Sequence, residues 1–338
     1  MKCNFEATGV GSISLADPKR SCAIILDRFK ELPFWPQLPK RSFLENMYVQ
    51  FSEGMPGIIL DEKARTIRID AQQAMDSLEG FYGRFLEDDL ESFRISEKMS
   101  EGFYAFLEMA GSRGAKRRFL KGQVTGPASF GLTLTDEKKI SVIYNAELFG
   151  ALTKLISMKA RWQIRKLREM AEGTIIFIDE PYLVSIGSSY VNINIDETMA
   201  AINEVAHSIK QEGALAGLHC CGNTDWPMIL GSDIDILSFD AYNFMTQFTL
   251  FRKEIREFLG RGGAIAWGIV PTMADDLKKN TVEGLLDQFK KGLEALGGLG
   301  EDVSSLVTPS CGVGSLDEGD AEKALDLTAQ LSHLLKEK

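Results

Sequence analysis

Short apolar runs alternate with longer segments of helical periodicity along most of the chain. Runs of β type fall at residues 5–10, 34–38, 118–124, 174–179, 214–220, 235–239, 264–267 and 304–308. Between them, residues 18–29, 97–110, 137–171, 198–211, 281–296 and 320–335 place apolar side chains at three- and four-residue spacing with charges between, the pattern of helices that bury one stripe. Alternation of this kind builds a parallel sheet, and eight strands close it, so the prediction is an α/β protein with a (β/α)8 TIM barrel. Residues 57–70 (GIILDEKARTIRID) break the alternation and predict an inserted hairpin. Residues 34–57, rich in Pro, aromatic and Met side chains, predict an irregular loop over one barrel face. No repeat of 20–50 residues and no low-complexity linker divides the chain, so residues 1–338 are expected to form a single domain. An open doubly wound sheet is the alternative, but Gly9-Val10-Gly11-Ser12 lacks the third glycine of a dinucleotide-binding turn.

Composition narrows the function. The 338 residues are 44% apolar and 25% charged, which excludes a disordered chain. A net charge of −10, with no basic run longer than Lys116-Arg117-Arg118, argues against nucleic acid as a partner. No apolar run approaches the ~20 residues of a membrane span, and the N-terminus lacks a secretory pattern, so neither a membrane nor export is expected. Five cysteines, two of them adjacent, read as reduced cytoplasmic thiols open to metal binding or catalysis.

Chemistry concentrates at the ends of the predicted strands. In the extended segment Gly217-Leu218-His219-Cys220-Cys221-Gly222, residues two apart share a face, so His219 and Cys221 project together and Cys220 points away. An imidazole and a thiolate on one face are half of a tetrahedral zinc site; the bland reading is a buried His and two buried Cys. Cys311, in Thr308-Pro309-Ser310-Cys311-Gly312, lies just past the last strand. A barrel delivers all strand C-termini to one rim, where Cys311 can join His219 and Cys221 across about 90 residues of chain. Asp240, ending Ile236-Leu237-Ser238-Phe239-Asp240, offers a fourth ligand or a helix N-cap. Asp179 and Glu180, ahead of Pro181, place two carboxylates at the site mouth, where they could receive an ammonium group or act as acid and base; an ordinary turn is the alternative. Val10-Gly11-Ser12 and Thr125-Gly126-Pro127 complete the rim.

Taken in order, Val10-Gly11-Ser12, Thr125-Gly126-Pro127, Ile178-Asp179-Glu180-Pro181, His219-x-Cys221 and Pro309-Ser310-Cys311-Gly312 resemble the catalytic domain of cobalamin-independent methionine synthase. That domain belongs to a superfamily that also holds uroporphyrinogen decarboxylase and the zinc-dependent corrinoid:coenzyme M methyltransferases, and His219-Cys220-Cys221-Gly222-Asn223-Thr224 is closer to the latter. The resemblance implies a (β/α)8 barrel and zinc held by His219, Cys221 and Cys311, with Asp240 standing where methionine synthases have a glutamate ligand. It also implies that Asp179 holds a substrate amino group, with Glu53 as a further partner, and that Gly11 and Ser12 lie near its carboxylate. The implied reaction moves a methyl group from a corrinoid or folate donor to a thiol, homocysteine giving methionine. The chain starts at the Val10-Gly11-Ser12 strand, without the extra N-terminal domain of the folate-dependent enzymes. It therefore resembles the short core methionine synthases, and a methylated corrinoid protein is the expected donor, docking against the aromatic segments 34–36 and 242–251. Alternatives are transfer to another thiol, a metal-free enzyme like uroporphyrinogen decarboxylase, and a metal-binding protein without turnover.

Overall fold

The structure, a computed structural model, describes residues 3–112, 116–185, 193–297 and 303–337. Among the described residues seven parallel strands form one curled sheet: β1 (Asn4–Ala7), β4 (Arg117–Thr125), β5 (Ala171–Asp179), β6 (Leu215–Cys220), β7 (Ile236–Phe239), β8 (Ala264–Val270) and β9 (Ser305–Pro309). Their order is β1-β9-β8-β7-β6-β5-β4, so each strand from β5 onward pairs with its predecessor and the chain returns to β1 at the end. Two further strands, β2 (Ile58–Asp61) and β3 (Thr66–Ile69), are the antiparallel hairpin expected at 57–70. Its turn is fixed by the Asp61 carboxylate, which accepts the Lys63 and Ala64 N–H groups.

The eighth stave differs from its prediction. Residues 33–37 bridge the sheet edges without becoming a regular strand. On one side Lys121 N–H donates to the Pro33 carbonyl (3.0 Å) and Trp35 N–H to the Lys121 carbonyl (3.3 Å). On the other, Gln37 N–H donates to Gly11 and Ile13 N–H to Gln37 (3.0 and 2.9 Å). In a regular strand the N–H groups of residues 35 and 37 would point the same way; here they bond opposite edges, and Pro33 and Pro36 have no N–H to give. The architecture is a TIM-barrel-like α/β fold closed at this point by bridges.

Two-residue alternation along the strands sorts the core into two layers. Ile175, Phe177, Ile236, Ala264, Ala266 and Leu306 form one buried cluster, filling the barrel lumen from its N-terminal end. The residues between them, Ile176, Ile178, Leu237, Ile265 and Val307, face the helices and join the larger cluster. Helix Ala146–Arg168 packs on β4 and β5; Asn145 caps its start, and Arg165, Lys166 and Arg168 complement the negative end of its dipole. Phe34 and Trp35 are buried core residues, so the 34–36 segment offers no docking face. Among the described residues no helix is long and apolar enough to cross a membrane.

Candidate metal centre

Parallel register lines up one row across the C-terminal end of the lumen. Thr125 of β4 pairs with Asp179 of β5, Asp179 with His219 of β6, and His219 with Ser238 of β7. Laterally paired residues share a face, so all four side chains turn inward.

His219 is buried, and its Nδ1 shares a 2.9 Å hydrogen bond with the Ser238 hydroxyl, while Nε2 has no partner. A buried ring nitrogen left open is expensive unless something fills the place. Cys221 and Cys311 fill it in part: one ligand atom from each of His219, Cys221 and Cys311 lies within 4.8 Å of the others. Cys311 is carried there by the turn after β9. Val313 N–H donates to the Ser12 carbonyl, and Ser310 shares a 3.1 Å hydrogen bond with Thr272. The two sulfurs titrate in opposite directions. The Cys311 thiol and the His219 ring beside it lower the Cys221 pKa to about 4, whereas the neighbouring sulfur and burial push Cys311 far above the ordinary thiol range. A preformed thiolate, a second sulfur and an open imidazole nitrogen are a donor set for a borderline-soft ion. Cys220 faces the helix layer, where burial raises its thiol to about 12.

The other expected residues divide. Asp179 stays on the rim beside His219, with Oδ1 unpartnered; burial raises its pKa to about 6 against the fields of His219 and Lys121. Gly11 backs onto Gln123, where a Cβ would come within 2.9 Å of that side chain, and the Ser12 hydroxyl lies over Gly312 and Gly314 beside Cys311. Asp240 is a buried helix N-cap whose Oδ1 and Oδ2 accept from the Asn243 backbone and side chain (2.9 and 2.7 Å), and it is not part of the three-residue cluster. Glu53 engages a different neighbourhood, accepting Ser96 N–H at 2.7 Å and acting on Lys159.

Glu180 departs from the expected pair of carboxylates at the mouth. Consecutive residues of an extended segment face opposite ways, and Glu180 turns outward, fully buried, to accept the Ala128 and Ser129 N–H groups at 2.8 Å and the Ser129 hydroxyl. It clamps the start of helix Pro127–Thr133. A Cβ at Gly126 would lie 2.1 Å from its carboxyl, which is why the Thr125-Gly126-Pro127 and Asp179-Glu180-Pro181 segments fit together.

Sequence reasoning missed Ser238 and Lys121. Both were legible as polar residues at inward parity: Ser238 two before Asp240, and Lys121 heading the series Lys121, Gln123, Thr125 within an apolar strand.

No protein-family model matches the chain, and no curated protein matches it significantly in sequence. Among solved structures, it is similar to a B12-independent methionine synthase from Shewanella sp. W3-18-1, in complex with selenomethionine, at 15% identity and a TM-score of 0.60, over 99% of this chain and 98% of that one. It is also similar to a methyltransferase from Methanosarcina mazei, at 15% identity and a TM-score of 0.59, over 97% of this chain and 94% of that one. At this identity the likeness establishes a shared barrel fold.

Proposed function

We propose that the chain is a zinc-dependent methyltransferase that moves a methyl group from a corrinoid or folate donor to a thiol, homocysteine giving methionine, and that residues 1–338 act as one barrel domain. The observation that carries this reading is the meeting of His219, Cys221 and Cys311 at the C-terminal rim of the barrel. Two solved barrels of the same shape, a methionine synthase and a methyltransferase, support it.

In this reading His219 Nε2 and the Cys221 and Cys311 sulfurs hold zinc. The ion supplies Lewis acidity that keeps an acceptor thiol ionised at neutral pH. Ser238 fixes the imidazole so that Nε2 faces the sulfurs. Asp179, with one oxygen free, receives the ammonium group of the acceptor, and the Gly11-Ser12 backbone meets its carboxylate. Asp240 is left outside the ligand set because Asn243 occupies both its oxygens. Glu53 is left outside the substrate site by its bond to Ser96.

The test is elemental analysis of protein purified without added metal, followed by an assay with methylcobalamin and homocysteine. About one zinc per chain is expected, mostly lost in Cys311→Ala, with methionine formed only by the zinc-bearing protein. Absence of zinc before and after it is supplied would remove the mechanism and favour a metal-free decarboxylase-like reading. Zinc without transfer to any of several thiols would favour a metal-binding protein.

A further inference from the structure

The lumen holds a charge that the proposed chemistry does not use. Lys121, in the middle of β4, is 1% exposed. Its ammonium donates to the Val10 carbonyl at 2.6 Å and to Gln123 Oε1 at 3.4 Å, and lies over the Phe177 ring at 4.9 Å. Among the described residues no carboxylate forms a direct ion pair with it; the Asp179 carboxylate is the anion whose field acts on it. A buried ammonium is costly unless a fixed arrangement of acceptors and an opposing charge retain it.

Its neighbours are the parts of the site that meet the substrate's amino-acid end. Val10 O, held by Nζ, directly precedes Gly11 and Ser12. Gln123, the second acceptor, donates from Nε2 to the Trp35 carbonyl at 3.3 Å and forms the wall that Gly11 abuts. Thr125 and Asp179, further along the same inward faces, carry buried polar atoms without partners. The cation therefore holds the loop at Val10 and sets a positive charge on the lumen side of Asp179, whose Oδ1 has no partner.

We infer that Lys121 is a positioning residue for the acceptor thiol: it fixes Asp179 and the 10–12 loop in the arrangement that binds an α-amino acid rather than a simple mercaptan. The inference rests on the proposed acceptor reading and gives it a source of selectivity. Lys121 does not touch the reacting sulfur.

The experiment is calorimetric titration of the zinc-bearing protein with homocysteine and, separately, 2-mercaptoethanol, in wild type, Lys121→Met, Asp179→Asn and the double variant, with zinc content measured in each. Lys121→Met is expected to keep its zinc, to bind homocysteine about tenfold more weakly or worse, and to bind 2-mercaptoethanol as wild type does. The double variant should bind homocysteine no more weakly than Asp179→Asn alone, because the lysine acts through the carboxylate. Should Lys121→Met not fold, Gln123→Glu offers the ammonium a nearer anion than Asp179 and is expected to weaken homocysteine binding selectively. Homocysteine affinity within twofold of wild type in the folded variant, equal losses for both thiols, or multiplying losses in the double variant would overturn the role. A wild type that binds zinc and 2-mercaptoethanol but no homocysteine overturns the acceptor reading, and Lys121's role with it.

Discussion

At the scale of single residues, a buried polar group is informative when its bonds are counted. Ser238 has one task, to hold His219 Nδ1, and that leaves Nε2 as the ring nitrogen without a partner. Ser238→Ala should therefore keep the fold and weaken zinc binding by roughly 10–100-fold, measured by competition with a chromophoric chelator. Lys159 is a contrasting case, a charge buried for structure. From helix Ala146–Arg168 its ammonium reaches the Phe93 and Arg94 carbonyls at 3.3 and 3.2 Å, and burial lowers its pKa from 10.5 to about 8. Because the folded state gives up this proton first, the unfolded state binds more protons between pH 8 and 10.5, and this group's contribution to stability rises with pH across that window. Lys159→Met removes the dependence. The stability of wild type minus that of the variant, from urea unfolding at several pH values, should climb by about 3 kcal/mol from pH 8 to 10.5 and be flat below pH 7.

At the scale of elements, what the sequence exposed and what it hid have separate causes. The strand at 174–179 was legible because it is buried on both faces and reads as a short apolar run rich in β-branched residues; the structure extends it only backward, to Ala171. The convergence of His219, Cys221 and Cys311 was legible because strand parity and the common rim of a barrel are simple geometry. Helix Ala71–Leu86 was not read, although Ala71, Ala74, Leu78, Phe81 and Phe85 recur at helical spacing; only Ala74 and Phe81 of these are fully buried, and the stripe follows directly on the hairpin. Nor was the clamp of Glu180 on Ala128 and Ser129, because a turn signal such as Glu-Pro does not say where a carboxylate goes. That clamp makes Gly126 the tightest point between two rim loops. Gly126→Ala sets a methyl group against the Glu180 carboxyl, and a loss of about 3 kcal/mol in unfolding free energy is expected. Loss of less than about 0.5 kcal/mol, the range of an ordinary surface change, would show that the loops part readily.

At the scale of the whole molecule, the proposed metal ligands and the barrel closure depend on one another. His219 and Cys221 end the sixth β segment, whereas Cys311 follows the last strand, which returns to pair with the first. The turn carrying Cys311 is in turn bonded to Ser12, whose neighbours Gly11 and Ile13 hold the irregular stave at Gln37. An ion at this point cross-links β6 to the seam of the barrel, so its binding energy adds to the stability of the closed form by mass action. With zinc bound, the thermal midpoint should fall on adding a strong chelator and recover when zinc is restored. At a free zinc concentration 100 times the dissociation constant, the stabilisation is about 2.7 kcal/mol. Cys311→Ala should unfold at a midpoint that the chelator does not move. Cys220→Ala, which alters a sulfur of the helix layer, should retain the full chelator response and differ only in baseline stability. Equal chelator shifts in the Cys311 variant and in wild type would mean that the ion sits elsewhere, and that the three side chains meet at the rim without holding it.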